Sequence, residues 1–478
     1  MSLKEQATSS VIWSAVERFS VQGIQLLLTI IIARVLMPSD YGLIAMLSIF
    51  MAIAQTFIDS GFSNALIQKK GRTDTDFSTV FYFNIVVSCI VYIIMYLGAP
   101  FIADFYNEPK LDTITKILGL VIVINSFGIV QQAKLTIELN FRKQAHASLT
   151  AVIISGVISV SMAYSGFGVW ALVWQSIIYN IIRIILMWYY AKWKPLMVFS
   201  KKSFKTLFNF GSKLLGSSIL HTIYVNLYTL IIGKFFAADI CGLYNQAYKL
   251  STFPSNNIAS IIVRAVYPIQ CSIQNEEEQF RDLFLKYIRM SCYFIFPIMV
   301  LLCVLAKPFV IVFLREQWMP AVPLLQILCI AYMWDPVMKI NGSTLTAKGH
   351  PEYFLRAELY KKVVAFIILF GTIPFGITIM CWGLVLYAFA DMFIISLYIK
   401  KVINIKPSDQ LKTIFPVILL SVSMSAIVYI INGFIQSELL QLIIGVMVGV
   451  SYYIAISHFF KFKEALFLKN LLKHRSHK

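Results

Sequence analysis

The 478 residues are 59% hydrophobic and 13% charged, with a mean hydropathy of +0.76, whereas a soluble protein carries about 25% charged residues. That balance excludes a soluble enzyme; 14% aromatics and the lack of any low-complexity tract exclude disordered and fibrous classes. The formal net charge of +18 asks for an anionic partner, and the placement of the basic residues decides which kind.

A bilayer core of about 30 Å takes about 20 apolar residues per helix. In chain order the qualifying runs are 9–35, 41–66, 78–103, 113–133, 147–165, 168–190, 206–235, 241–268, 284–305, 321–344, 357–377, 379–399, 413–432 and 439–459. An all-α polytopic membrane protein of about fourteen helices is expected, with no room for a soluble domain. The first run is too long for a signal peptide, contains Glu17, Arg18, Gln22 and Gln25 and lacks a small-residue cleavage signature, so it is read as a retained helix. The connection 306–320, expected to be the longest outer loop, carries Glu316 as its one acid. Seven scattered cysteines without a CxxC pair read as apolar fillers, and neither metal nor cofactor is expected.

Basic residues alternate by connection. One side receives Lys69, Lys70 and Arg72, then Lys134, Arg142 and Lys143, then Lys192, Lys194, Lys201, Lys202 and Lys205. Lys348, Arg356, Lys361 and Lys362, then Lys400, Lys401, Lys406 and Lys412, and the tail from Lys461 to Lys478 fall on the same side. The other side receives Arg34, Lys110, Lys116, Lys234, Lys307 and Arg315. This positive-inside pattern puts both termini in the cytoplasm. The positive charge is then a topology signal with attraction for anionic membrane lipids, and no nucleic-acid partner is expected.

Shifted by 200 positions, QLLLTIIIARVLMPSDYGL (25–43) overlies VNLYTLIIGKFFAADICGL (225–243) without a gap. Leu27, Thr29, Ile31, Ile32, Gly42 and Leu43 meet identical residues, and Arg34 meets Lys234. The copies stand six helices apart, so the repeat is parallel and predicts two pseudo-symmetric six-helix bundles. The expected division is an N-terminal lobe over 1–200, a C-terminal lobe over 201–405, and two further helices with a basic tail over 406–478.

Ionisable groups are costly in lipid and mark function unless they pair. The first helix carries Ser14, Arg18, Gln22 and Gln25 on one stripe, the seventh Lys213, Ser217, His221, Tyr224 and Tyr228, and the eighth Asn245, Lys249, Thr252, Asn256, Ser260 and Arg264 around Pro254. A stripe of this kind needs protein or a cavity beside it. Arg18, Gln22, Gln25, Arg183, Lys213, His221, Lys249, Asn256 and Arg264 are therefore the candidate substrate-binding residues. The candidates for ion coupling are Glu17, Asp59, Asp335, Lys339 and Asp391; Asp335 and Lys339, four apart with the acid first, also suit a same-face ion pair. The excess of cavity bases favours an anion such as phosphate.

Three segments carry a family resemblance: ARVLMPSDYGLIAML (33–47), DSGFSNALIQKK with DFSTVFYFNI and APFIADFYNEPKL (59–111), and GLYNQAYKLSTFPSNNIASIIVRAVYP (242–268). The chain resembles Wzx-type polysaccharide flippases of the MOP exporter superfamily, in particular their WzxC-like branch. The resemblance implies inner-membrane transfer of an undecaprenyl-diphosphate-linked oligosaccharide to the periplasmic leaflet by alternating access. It further implies a diphosphate held by cavity bases, here Arg18, Lys213, Lys249 and Arg264; a polysaccharide polymerase is a candidate partner, which the sequence itself does not decide. Two alternatives stay open: an ion-coupled drug or metabolite exporter of the same superfamily, and a membrane polysaccharide polymerase or ligase. No enzymatic activity is expected.

Overall fold

The computed structural model of the protein describes residues 3–59, 62–69 and 71–465. The basic tail beyond 465, Lys70, and the side chains of Ser14, Arg18, Lys213 and Ser217 fall outside the described residues. Every regular element among the described residues is helical. The chain divides into two compact units, Met1–Gly242 and Leu243–Lys478.

The first unit contains α1 (Leu3–Ala33), α2 (Pro38–Asp59), α3 (Phe62–Gln68), α4 (Asp74–Tyr106), α5 (Lys110–Leu118), α6 (Leu120–Ser126), α7 (Ile129–Ile137), α8 (Phe141–Tyr164), α9 (Trp170–Ala191) and α10 (Lys201–Phe235). Helix α8 lies between α1 and α9. It can do so because Ala147, Ala151, Ser155, Ser159 and Ala163 recur every fourth residue and are all buried, a seam of small side chains that lets backbones approach. Ser159 Oγ closes this contact by donating to Ala171 O at 2.8 Å. On α4 the opposite logic holds: Val86, Ile90, Ile94, Leu97 and Phe101 are exposed along the outer surface, where lipid and not water suits them.

Helix ends are set locally. Thr73 and Asp76 form a reciprocal capping box at the start of α4, and Lys69 Nζ lies 2.6 Å from Asp76 Oδ1. At the end of α4, Asn107 turns left-handed (φ 55°) and its N–H reaches Ala103 O and Asp104 O. A cluster of Phe62, Phe77, Val80, Phe81, Trp193 and Leu207 joins α3, α4, the segment after α9 and α10. Gly42 is a position of backbone-on-backbone packing: a Cβ there would lie 1.6 Å from Ala238 O, and one on Gly242 would lie 1.9 Å from Pro38 O. These are the two glycines that the 200-residue shift superimposes.

The second unit continues α11 (Ala238–Ser272) and adds α12 (Glu277–Val304), α13 (Ala306–Leu314), α14 (Ala321–Tyr332), α15 (Asp335–Ala347), α16 (Pro351–Thr372), α17 (Ile377–Ile403), α18 (Pro407–Asn432) and α19 (Glu438–Phe459). Phe280, Phe284, Phe296 and Trp318 are fully buried. Arg281 of α12 donates from Nε to Ile403 O and from Nη2 to Asn404 O, each at 2.7 Å, so a cation satisfies the carbonyl end of α17. On α19, a Cβ at Gly445 would come within 2.7 Å of Leu305 Cδ2, and one at Gly449 within 2.9 Å of Leu301 Cδ1. The absence of side chains there lets those leucines in.

Ten helical segments among the described residues are long and apolar enough to cross a membrane. Helices α1, α10, α11 and α16, at 31, 35, 35 and 22 residues, have the length but carry polar or charged residues along them. The run 41–66 is carried by α2 and α3, and the run 113–133 lies within one apolar segment, Lys110–Ile137, with breaks between α5, α6 and α7. At Gly128, one of these breaks, a Cβ would come within 2.8 Å of Ile184 Cγ1, so the turn seats directly on α9. One sequence expectation is corrected. The supposed outer loop 306–320 is mostly α13, with Ala306, Pro308, Val310, Leu314 and Trp318 buried, because its apolar face packs into the unit.

Candidate functional site

In the first unit, Glu17, Val21, Gln22 and Gln25 occupy one face of α1 and line a cavity of about 370 Å³ with Ser148 of α8 and Tyr179 and Arg183 of α9. Ser148 Oγ donates to Glu17 Oε1 at 2.7 Å. A second cavity, of about 490 Å³, is lined by Gln55 and Asp59 of α2, Ser63 of α3, Asn125, Gln132, and Arg183 with Ile184 and Met187. Arg183 belongs to both walls.

A hydrogen-bonded chain crosses the second cavity: Asn125 Nδ2 donates to Gln55 Oε1 at 2.9 Å, and Gln55 Nε2 donates to Asp59 Oδ1 at 3.0 Å. Arg183 Nη2 donates to Gln132 Oε1 at 3.1 Å, and its charge faces Asp59. Gln22 Oε1, Asn125 Oδ1 and Arg183 Nε are buried without a hydrogen-bond partner. Beside a cavity, a water or a ligand can satisfy such groups. The site therefore holds mixed charge, Glu17 and Asp59 with Arg183, rather than bases alone.

The sequence named Glu17, Gln22, Gln25, Asp59 and Arg183, and the structure brings them together around two neighbouring cavities. Gln55, Asn125, Gln132, Ser148 and Tyr179 were missed. Gln55 stands four residues before Asp59, a same-face spacing that was available as a signal; Ser148 lies 131 residues from Glu17 and left no local trace. His221 on α10 is exposed, next to Thr222, whose hydroxyl meets Thr56 Oγ1 at 3.1 Å.

In the second unit, α11 runs unbroken through Pro254 and Pro268. Lys249 and Arg264 are exposed and Asn256 is half-buried. Lys339 Nζ donates to Asn256 Oδ1 at 2.5 Å, which joins a coupling candidate to the binding stripe. Asp335 stands beside Lys339 and Ser255. Asp391 lies within electrostatic reach of Asp335, and its Oδ1 is 3.0 Å from Lys361 Nζ, which also pairs with Glu358. Lys361, counted in the sequence among the cytoplasmic-side bases and falling within the run 357–377, is 5% exposed, because α16 turns it toward α17.

A family model described as polysaccharide biosynthesis protein matches residues 31–323. The lipopolysaccharide biosynthesis protein WzxC of Escherichia coli (strain K12) is 28% identical over 367 residues, 76% of this chain and 74% of that one. The teichuronic acid biosynthesis protein TuaB of Bacillus subtilis (strain 168) is 27% identical over 354 residues, 73% of each chain. In fold, the chain is similar to the lipid II flippase MurJ in an inward closed conformation, with a TM-score of 0.76 at 15% identity over 94% of this chain and 98% of that one. The chain belongs to the family of polysaccharide biosynthesis proteins.

Proposed function

We propose that this protein flips an undecaprenyl-diphosphate-linked oligosaccharide from the cytoplasmic to the periplasmic leaflet of the bacterial inner membrane, by alternating access and without covalent chemistry. The observation that carries this reading is the stripe of α11, a 35-residue helix on which Lys249, Asn256 and Arg264 recur, two of the three exposed. Each such base costs about 2.5–3.5 kcal/mol to insert at mid-membrane, and a diphosphate with hydroxyl-rich sugars is a ligand that returns the cost through charge-assisted hydrogen bonds. Arg18 and Lys213 are proposed to serve the same headgroup, with Gln22, Gln25, Arg183 and His221 completing the substrate-binding set.

The membrane potential supports the direction. A headgroup of charge about −2 leaving a negative interior gains about 4.6 kcal/mol per 100 mV. Glu17 and Asp59, set in cavities opposite Arg183, are proposed to carry a coupling cation or proton, with Asp335 and Lys339 beside the α11 stripe. A polysaccharide polymerase would receive the product on the far side, and both termini would remain cytoplasmic.

Reconstitution tests the reading. Proteoliposomes loaded with a lipid-linked oligosaccharide are treated with an impermeant sugar oxidase, and the fraction of glycan that becomes accessible is followed in time. The intact protein accelerates exposure; Arg264→Ala lowers the rate more than tenfold while the protein still inserts and elutes as the parent does, since one good charge-assisted contact is worth about 1.5–3 kcal/mol. Equal rates for Arg264→Ala and parent, or transport of amphiphilic cations in place of the glycan, would sink the reading.

A further inference from the structure

From Leu139 to Ala238 the sequence contains no Asp or Glu, and five lysines fall between positions 192 and 205. The structure gives this stretch a definite form. Helix α9 ends at Ala191, and Lys192 adopts a left-handed conformation (φ 49°) with its N–H on Trp188 O, which turns the chain off the helix axis. Trp193 then tucks against Phe77 and Phe81, 5% exposed, and its indole donates to Asp74 Oδ1 at 3.1 Å. Further on, the N–H of Leu196 donates to Ser78 Oγ at 2.9 Å and that of Ser200 to Thr79 Oγ1 at 3.1 Å.

Between these two pins Leu196, Met197, Val198 and Phe199 are held outward, Met197 at 97% exposure. A cavity of about 660 Å³ beside them is lined by Trp188, Lys192, Trp193, Lys194 and Pro195. Lys192, Lys194, Lys201, Lys202 and Lys205 are all exposed. Among the described residues none of the five is in an ion pair. Ile181, Ile185 and Tyr189, every fourth residue of α9 and each exposed, extend the apolar surface down to the lysines. Apolar side chains pinned outward next to unpaired cations mark the boundary between acyl chains and headgroups.

We propose that residues 188–205 are a docking site for an anionic phospholipid of the adjoining leaflet. The headgroup phosphate is held by Lys192 and Lys194 at the Trp188–Trp193 cavity, the acyl chains run along Leu196 to Phe199, and Lys201, Lys202 and Lys205 add long-range attraction. A soluble phosphate would have no use for the exposed apolar row, and a neutral lipid none for the lysines. The site does not depend on which cargo the protein carries, and it fastens the segment between α9 and α10 to the membrane surface.

The test uses the full-length protein and native mass spectrometry, with phosphatidylglycerol and phosphatidylcholine as competing probes. The parent retains phosphatidylglycerol about tenfold over phosphatidylcholine. Replacing all five lysines by Gln brings the ratio close to one, whereas Lys400→Gln with Lys401→Gln and Lys412→Gln leaves it at the parental value. If the fivefold variant does not fold, the pairs Lys192→Gln with Lys194→Gln and Lys201→Gln with Lys202→Gln each lower the ratio by part of that amount. An unchanged ratio in folded variants, or an equal loss in the distant triple, overturns the site. Displacement by millimolar inorganic phosphate would reassign it to soluble anions, and displacement by an equal amount of undecaprenyl diphosphate would reassign it to the cargo; either overturns the proposal.

Discussion

Two charge clusters, one in each unit, are treated in opposite ways. In the first, Glu17, Asp59 and Arg183 border open cavities. In the second, Lys361 is enclosed with Asp391 and Glu358, and Glu464, 6% exposed, meets Arg289 Nε at 2.9 Å. A charge closed off with its counter-charge is a fastening, since removing either partner strands the other in a poor solvent. A charge beside a cavity with donors to spare is available to a ligand. Distance from the surface alone does not distinguish function from architecture; what else the space admits does.

The comparison breaks most visibly at Lys361. Lys361→Met leaves Asp391 and Glu358 uncompensated and is expected to cost about 3–5 kcal/mol, seen as a large fall in unfolding temperature and in the yield of folded protein. Combining it with Asp391→Leu and Glu358→Leu removes the stranded charges and recovers most of the loss. A single variant as stable as the parent would show that the cluster does not fasten α16 to α17.

Arg183 tests the other half. Arg183→Gln keeps a side chain that can still bond to Gln132 but removes the charge facing both Glu17 and Asp59. Flipping is expected to fall by roughly tenfold, equivalent to about 1.4 kcal/mol, while the unfolding temperature stays within the scatter of the parent. Arg183→Lys restores part of the rate, because the charge returns without the planar fork. A loss of stability comparable to that of Lys361→Met would erase the distinction between the units.

The pattern that sequence reading captured is the periodic one. The membrane class and most helix positions follow from apolar spacing, which each segment carries within itself. Glu17, Gln22, Gln25, Asp59 and Arg183 were legible because a polar residue in an apolar run is conspicuous. Their partners were not: Ser148 reaches Glu17, Asn125 reaches Gln55 and Lys361 reaches Asp391 across separate helices, and no local spacing encodes such a meeting. Lys361 was counted with Arg356 and Lys362 among the cytoplasmic-side bases, and no local spacing announced that it would be buried against Asp391. Residues 306–320 were misread as a loop because Arg315 and Glu316 interrupt the hydropathy, while the α13 face before them is apolar and buried.

The finest test of the difference removes one hydroxyl from each unit. Tyr453 OH donates to Tyr293 O at 2.8 Å in a buried contact of the second unit, and Tyr453→Phe is expected to cost about 1 kcal/mol of stability with flipping unchanged. Ser148 Oγ donates to Glu17 Oε1 at the wall of a cavity, so in Ser148→Ala the carboxylate can recover a partner from whatever fills that space. Stability should then move by less than in Tyr453→Phe, and the flipping rate, measured with the impermeant oxidase, should change severalfold as Glu17 loses its fixed orientation. If both variants lower stability equally and neither changes the rate, the open and closed charges of this protein differ only in where they stand.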